Sequence, residues 1–148
     1  MQAVITCNTA HVLYDEIADI IGVKPVSLIK CVAAYVQIKK YSKVGLLATS
    51  ATIKANVYSD ISAELVCLDK TKQKEIEKLI RQVIANDKNI DTQALTNQIE
   101  ELQSMGCEAV ILGCTELSVI TDKLEIRNTI DPLSIVVPHL FKDIMEEI

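Results

Sequence analysis

Histidine is scarce in this chain, with His11 and His139 the only two, so most schemes for holding a metal lack ligands. The five cysteines are an odd number and none fall in a C-x-x-C pair, which argues against a disulfide framework and against a zinc site. No block of one charge sign occurs either. The 15 basic residues are scattered and the net charge is −5, which excludes an electrostatic footprint for DNA or RNA. Long apolar runs are missing: stretches such as Ala109 to Leu112 fall far short of the ~20 residues that span a bilayer. The first residues show no basic region followed by an apolar stretch. A cytoplasmic protein with no membrane or nucleic-acid partner is therefore expected.

What remains is a chain of 148 residues, 49% of them hydrophobic, whose strand and helix patterns alternate throughout. That alternation predicts an α/β fold, with parallel sheets and helices on their faces. Val4 to Thr6 reads as a strand ending at Cys7. Ala10, Leu13, Ile17 and Ile20 then follow at helical spacing up to Gly22 and Pro25. Val26 to Ile29 reads as a strand, Cys31 to Tyr41 as a helix, and Val44 to Leu47 as a buried strand followed by a polar turn over Thr49 to Thr52. After a strand at Leu65 to Leu68, Ile76, Leu79, Ile80, Val83 and Ile84 mark the buried face of a helix, with Glu77 and Arg81 paired outside. A helix through Leu95, Ile99 and Leu102 precedes a strand at Ala109 to Leu112. Thr115 to Ile120 reads as a short helix, Glu125 to Ile130 as a strand, and the terminal helix is expected to reach Ile148 with Pro138 near its start or kinking it.

The chain uses one device twice. Val4-Ile5-Thr6-Cys7-Asn8-Thr9 and Ile111-Leu112-Gly113-Cys114-Thr115-Glu116 both run from a strand through a cysteine into a helix. Ligands of parallel sheets bind beyond the carboxyl ends of the strands, and a helix N-terminus favours a thiolate. Cys7 and Cys114 are therefore candidate acid/base groups of matched strength, able to serve opposite faces of one carbon. Each is followed by polar residues that core packing does not require. Cys31, Cys67 and Cys107 lack that context and read as small core hydrophobes.

At these motifs the sequence resembles the aspartate/glutamate racemase family, which inverts amino acids without pyridoxal phosphate by using one cysteine from each of two similar α/β domains. The resemblance rests on Cys7-Asn8-Thr9-Ala10-His11, on Gly113-Cys114-Thr115-Glu116-Leu117, and on the intervening Gly45 to Ile53, which looks like the family's substrate-binding turn. His11 and Glu116 look like the aspartate branch. The resemblance implies Cys7 and Cys114 as catalytic thiols, with Asn8, Thr9, Thr49, Thr52, Thr115 and Glu116 holding the substrate, and no cofactor or metal. For Thr49 and Thr52 ordinary helix capping is an equal alternative. His11 is as well placed to pack or hydrogen-bond as to tune Cys7.

Two departures stand out. Family members usually carry a strand-helix segment with a glycine-rich turn and an arginine before the first cysteine, so this chain reads as N-terminally truncated. Two pseudo-symmetric racemase-type domains follow, the first (1–42 plus 133–148) incomplete and the second 43–132. Too little chain precedes Lys43 to bury both faces of a sheet, so an exposed edge and apolar face are expected. In addition, the lysine and glycine that many aspartate-type members carry in the helix after Leu68 fall nearest Ile84 and Asn86. A clamp for a second substrate carboxylate is then missing, and Arg81 and Arg127 are the only arginines.

The expected function is cofactor-independent racemisation of an acidic amino acid such as aspartate, in a homo-oligomer, with activity of this chain alone in question. Related chemistry with similar cysteines, as in hydantoin racemase or maleate isomerase, is an alternative. A non-catalytic remnant that self-associates is another. A redox role lacks a nearby resolving cysteine.

Overall fold

A computed structural model describes residues 3–122, 124 and 126–146 of the chain. Among these described residues, six strands fall into two parallel sheets. The smaller sheet pairs β1 (Val4–Ile5) with β2 (Val26–Ser27), linked by a 3-10 turn over Thr9–Leu13 and helix α1 (Tyr14–Ile21). Gly22 ends α1 in the left-handed region at φ 71°, where a side chain would be strained. The second strand is shorter than its apolar run predicts. Ser27 caps helix α2 (Leu28–Lys39) by accepting the Lys30 N–H, so helix starts where Leu28 and Ile29 read as strand.

The larger sheet has the order β4 (Glu64–Cys67), β3 (Lys43–Leu47), β5 (Ala109–Leu112), β6 (Thr129–Ile130). Its strands alternate between two cores. Leu47, Val110 and Leu112 face α4 (Lys70–Ile84), α5 (Thr92–Ser104) and α6 (Thr115–Thr121). Val44, Leu46, Ala109 and Ile111 face α2 and Tyr58 on the other side. Both faces are covered, which is why β3 and β5 read as continuous apolar runs. Helix α7 (Pro132–Glu146) packs against α2, with Pro138 inside it and Asp131 accepting the Leu133 and Ser134 N–H groups at its start. The strand expected over Glu125 to Ile130 forms only at Thr129–Ile130. Glu125, Ile148 and the His139 side chain lie outside the described residues.

The Thr49 to Thr52 segment, expected as a turn, opens a short helix α3 (Ser50–Lys54). Thr49 caps it by accepting the Thr52 N–H. Around the smaller sheet and on α2 apolar side chains stand in water: Val12, Leu13, Ile20 and Ile38 are all more than half exposed. Among the described residues no helix is long and apolar enough to cross a membrane.

Candidate active site

The strand order fixes where a site can form. From β3 the chain moves outward to β4, then crosses back to β5 on the other flank of β3, so the connections leaving β3 and β5 diverge at their carboxyl ends. Leu47 pairs with Leu112 there, and the Gly113 N–H donates to the Leu47 carbonyl at 2.7 Å. Thr49 and Cys114 therefore leave the sheet side by side. Gly113 has no room for a side chain: a Cβ would meet Leu46 Cδ1 at 2.8 Å and Ala48 Cβ at 2.9 Å.

Across this crevice stands the end of β1. A cavity of about 260 Å³ is lined by Cys7, Asn8 and Thr9 on that side and by Thr49, Cys114 and Glu116 on the other. Thr115 also lines it, as do Ile80 and Ile84 from the last turn of α4. Seven of the eight residues proposed from the sequence thus share one cavity wall. Thr52 does not. It is fully buried behind the wall, and its hydroxyl bonds those of Thr9 at 2.7 Å and Thr49 at 3.0 Å. Thr9 and Thr49 close the triangle at 3.3 Å, so Thr52 sets the direction of two hydroxyls that line the cavity.

Asn8 is buried, and its Oδ1 accepts a 2.5 Å hydrogen bond from the Tyr58 hydroxyl. With Oδ1 so engaged, the Nδ2 group has no partner among the described residues and is free to donate to a ligand. Burial raises the Tyr58 phenol well above its ordinary range, with Asp131 and Cys114 adding to the shift, which keeps Tyr58 a donor. Tyr58 was not legible as a site residue. It lies in an irregular polar segment, and only its 2% exposure shows that the core needs it. His11 donates through Nδ1 to the Cys7 carbonyl at 2.9 Å, so it fastens the turn after Cys7 rather than touching the sulfur.

The two thiols are not alike. Cys7 is exposed, whereas Cys114 is partly buried at the start of α6 and donates its S–H to Glu116 at 2.8 Å. Burial, then the hydrogen bond and charge of Glu116, push the Cys114 thiol up to about 12. The thiolate-favouring effect expected of a helix start therefore does not prevail at Cys114. A helix of under two turns offers less than desolvation and a neighbouring carboxylate take away. Burial works against ionisation of Glu116, but the Cys114 thiol, its own N–H and the Thr115 hydroxyl hold it below its ordinary range. Glu116 is thus an anion bonded to a neutral thiol. Cys31, Cys67 and Cys107 are raised chiefly by burial and stand apart from the cavity; Cys67 and Cys107 pack with the two cores, whereas Cys31 belongs to neither and lines a separate groove on α2.

Ile84 also departs from its sequence reading. It was grouped with the buried face of α4, yet it is 68% exposed at the mouth of the cleft, one turn beyond Ile80 at 4%. The apolar stripe of α4 runs past the core and into the site.

Comparison with known proteins gives the family and the fold. Residues 2–140 match the family model described as Asp/Glu/Hydantoin racemase. A glutamate racemase of Shewanella halifaxensis is 27% identical over 126 residues, 82% of this chain and 47% of its own length. The broad specificity amino-acid racemase RacX of Bacillus subtilis is 26% identical over 123 residues, 80% of this chain and 53% of its own. Among solved structures, an aspartate racemase homologue from Pyrococcus horikoshii superposes with a TM-score of 0.74 at 27% identity, covering 92% of this chain and 63% of that one. The chain spans about half the length of the curated racemases it matches. With nearly all of its described length inside one family model and its fold shared with that family's structures, the chain belongs to the Asp/Glu/Hydantoin racemase family.

Proposed function

We propose that the cleft inverts the Cα of an amino acid by two-cysteine proton transfer without an organic cofactor or metal. One observation carries this reading: two strand-end cysteines from separate sheets line a single cavity together with amide and hydroxyl groups suited to a carboxylate. In one direction the Cys7 thiolate removes the Cα proton and the electron pair passes into the substrate carboxylate. The Cys114 thiol then returns a proton to the opposite face, leaving Cys7 as thiol and Cys114 as thiolate. The reverse direction needs Cys114 as base. A substrate ammonium group beside Glu116 supplies the opportunity, because it neutralises the charge that holds the Cys114 proton in place.

Cys7→Ser and Cys114→Ser are each expected to abolish racemisation while retaining solvent deuterium exchange into one enantiomer. Aspartate, the substrate implied by the sequence resemblance, is the reference compound. Chiral chromatography and ¹H NMR in D₂O read the two quantities; racemisation at the parent rate in either variant would refute the scheme. A second reading, a self-associating domain without catalysis, is favoured by the exposed Ile20 of α1 and Ile38 of α2. It predicts a stable dimer by light scattering with no exchange into any amino acid.

A further inference from the structure

We propose that the side-chain end of this cleft accepts an uncharged, apolar amino-acid side chain in place of a second carboxylate, selected by a wall of Ile80 and Ile84. The assignment rests on the racemase reading above and names the substrate class for it. Ile80 and Ile84 stand one helical turn apart on α4, and both line the cavity. Among the described residues no Lys, Arg or His lines it. Two cations on the flanking helices act on Glu77 instead. Arg81 lies 3.9 Å from Glu77, and Lys54 acts on the same carboxylate, which is itself fixed on the Ser50 N–H at 3.0 Å.

Charge points the same way. The one charged side chain lining the cavity among the described residues is Glu116, an acceptor for thiol and hydroxyl donors and a natural partner for an ammonium group. The Asn8 amide and the Thr9 and Thr49 hydroxyls supply donors for one carboxylate. Once these groups are occupied by the α-amino and α-carboxylate groups, the large side chains left on the lining are Ile80 and Ile84, beside Thr6, Gly113, the two cysteines and a Thr115 hydroxyl already bonded to Glu116. A second carboxylate placed against the isoleucines would lose water on one side, meet no cation, and share the cavity with an anion. A leucine or methionine side chain would bury apolar surface against the same wall.

The test measures α-deuteration in D₂O by ¹H NMR for L-leucine, L-methionine, L-aspartate and L-glutamate, with the chain as it stands and with Ile84→Lys. The parent is expected to exchange leucine or methionine at least about tenfold faster than either dicarboxylate, in the range that apolar pockets achieve. Ile84→Lys is expected to move that ratio at least about tenfold toward aspartate and glutamate, with its thermal midpoint near the parent's because Ile84 is 68% exposed. Dicarboxylates exchanging as fast as leucine in the parent, or a ratio unmoved by the lysine, would overturn the assignment while leaving the racemase reading intact. Exchange into none of the four would instead overturn the racemase reading, and the assignment with it.

Discussion

Glu116→Gln isolates the electrostatics of the cleft. Gln keeps an oxygen that can accept the Cys114 S–H but removes the negative charge 2.8 Å from the sulfur. Hydrogen bonds to charged groups contribute about 1.5–3 kcal/mol, against roughly 0.5–1.5 for neutral ones. The difference of about 1–1.5 kcal/mol favoured the protonated thiol, so its loss lowers the Cys114 midpoint by about one pH unit. Below the midpoint the thiolate fraction then rises about tenfold, while the less basic thiolate is intrinsically about threefold less nucleophilic. Alkylation of Cys114 by iodoacetamide should therefore speed up about three- to fourfold at fixed pH. The measurement uses peptide-resolved mass spectrometry in a Cys7→Ser background, because Cys7 is exposed and would react first. The alkylation midpoint should start near the value of about 12 in the parent and move down in the variant. An unchanged or raised midpoint would refute the assignment of Glu116 as the group that holds the proton.

Gly113→Ala forces a Cβ to within 2.9 Å of Ala48 Cβ and 3.2 Å of the Leu47 carbonyl, neither of which can rotate away. A loss of about 1–3 kcal/mol in urea unfolding is expected, as for other overpacked sites, together with a fall in exchange activity; a neutral result would show that the sheet yields there. Tyr58→Phe leaves the buried Asn8 Oδ1 without its donor, costing about 1–3 kcal/mol by the same assay. It should also raise KM more than an Asn8-independent site would allow, because the amide is then free to turn over; unchanged stability and KM would show that Tyr58 does not orient it.

Legibility in the sequence followed burial. β3 and β5 were readable within a residue at their ends because strands covered on both faces must be continuously apolar, and the half-buried edge strand β4 was readable to the same margin from its short apolar run. The paired motifs around Cys7 and Cys114 were readable because polar residues at strand ends stand out against that apolar background. Shorter elements were decided by single hydrogen bonds that carry no periodic signal. Ser27 turned an apolar run into helix, and Thr49 turned a polar turn into one. The inequality of the two thiols was invisible for a different reason: it depends on depth, and Cys7 and Cys114 have similar neighbours in the chain but different exposure. Thr52 shows the same limit, since a threonine one helical turn from the cavity and one lining it look identical until burial is known.

The unequal mounting of the two cysteines has a mechanical consequence. Cys114 follows a central strand hydrogen-bonded on both sides, to β3 and to β6, so its sulfur is held by the stiffest part of the molecule. Cys7 follows a two-residue strand that pairs, among the described residues, with β2 alone. Resistance to local opening grows with the number of buried ladder bonds that must break together. One jaw of the cleft is thus an anvil and the other a spring, so opening the cleft is expected to cost less on the Cys7 side.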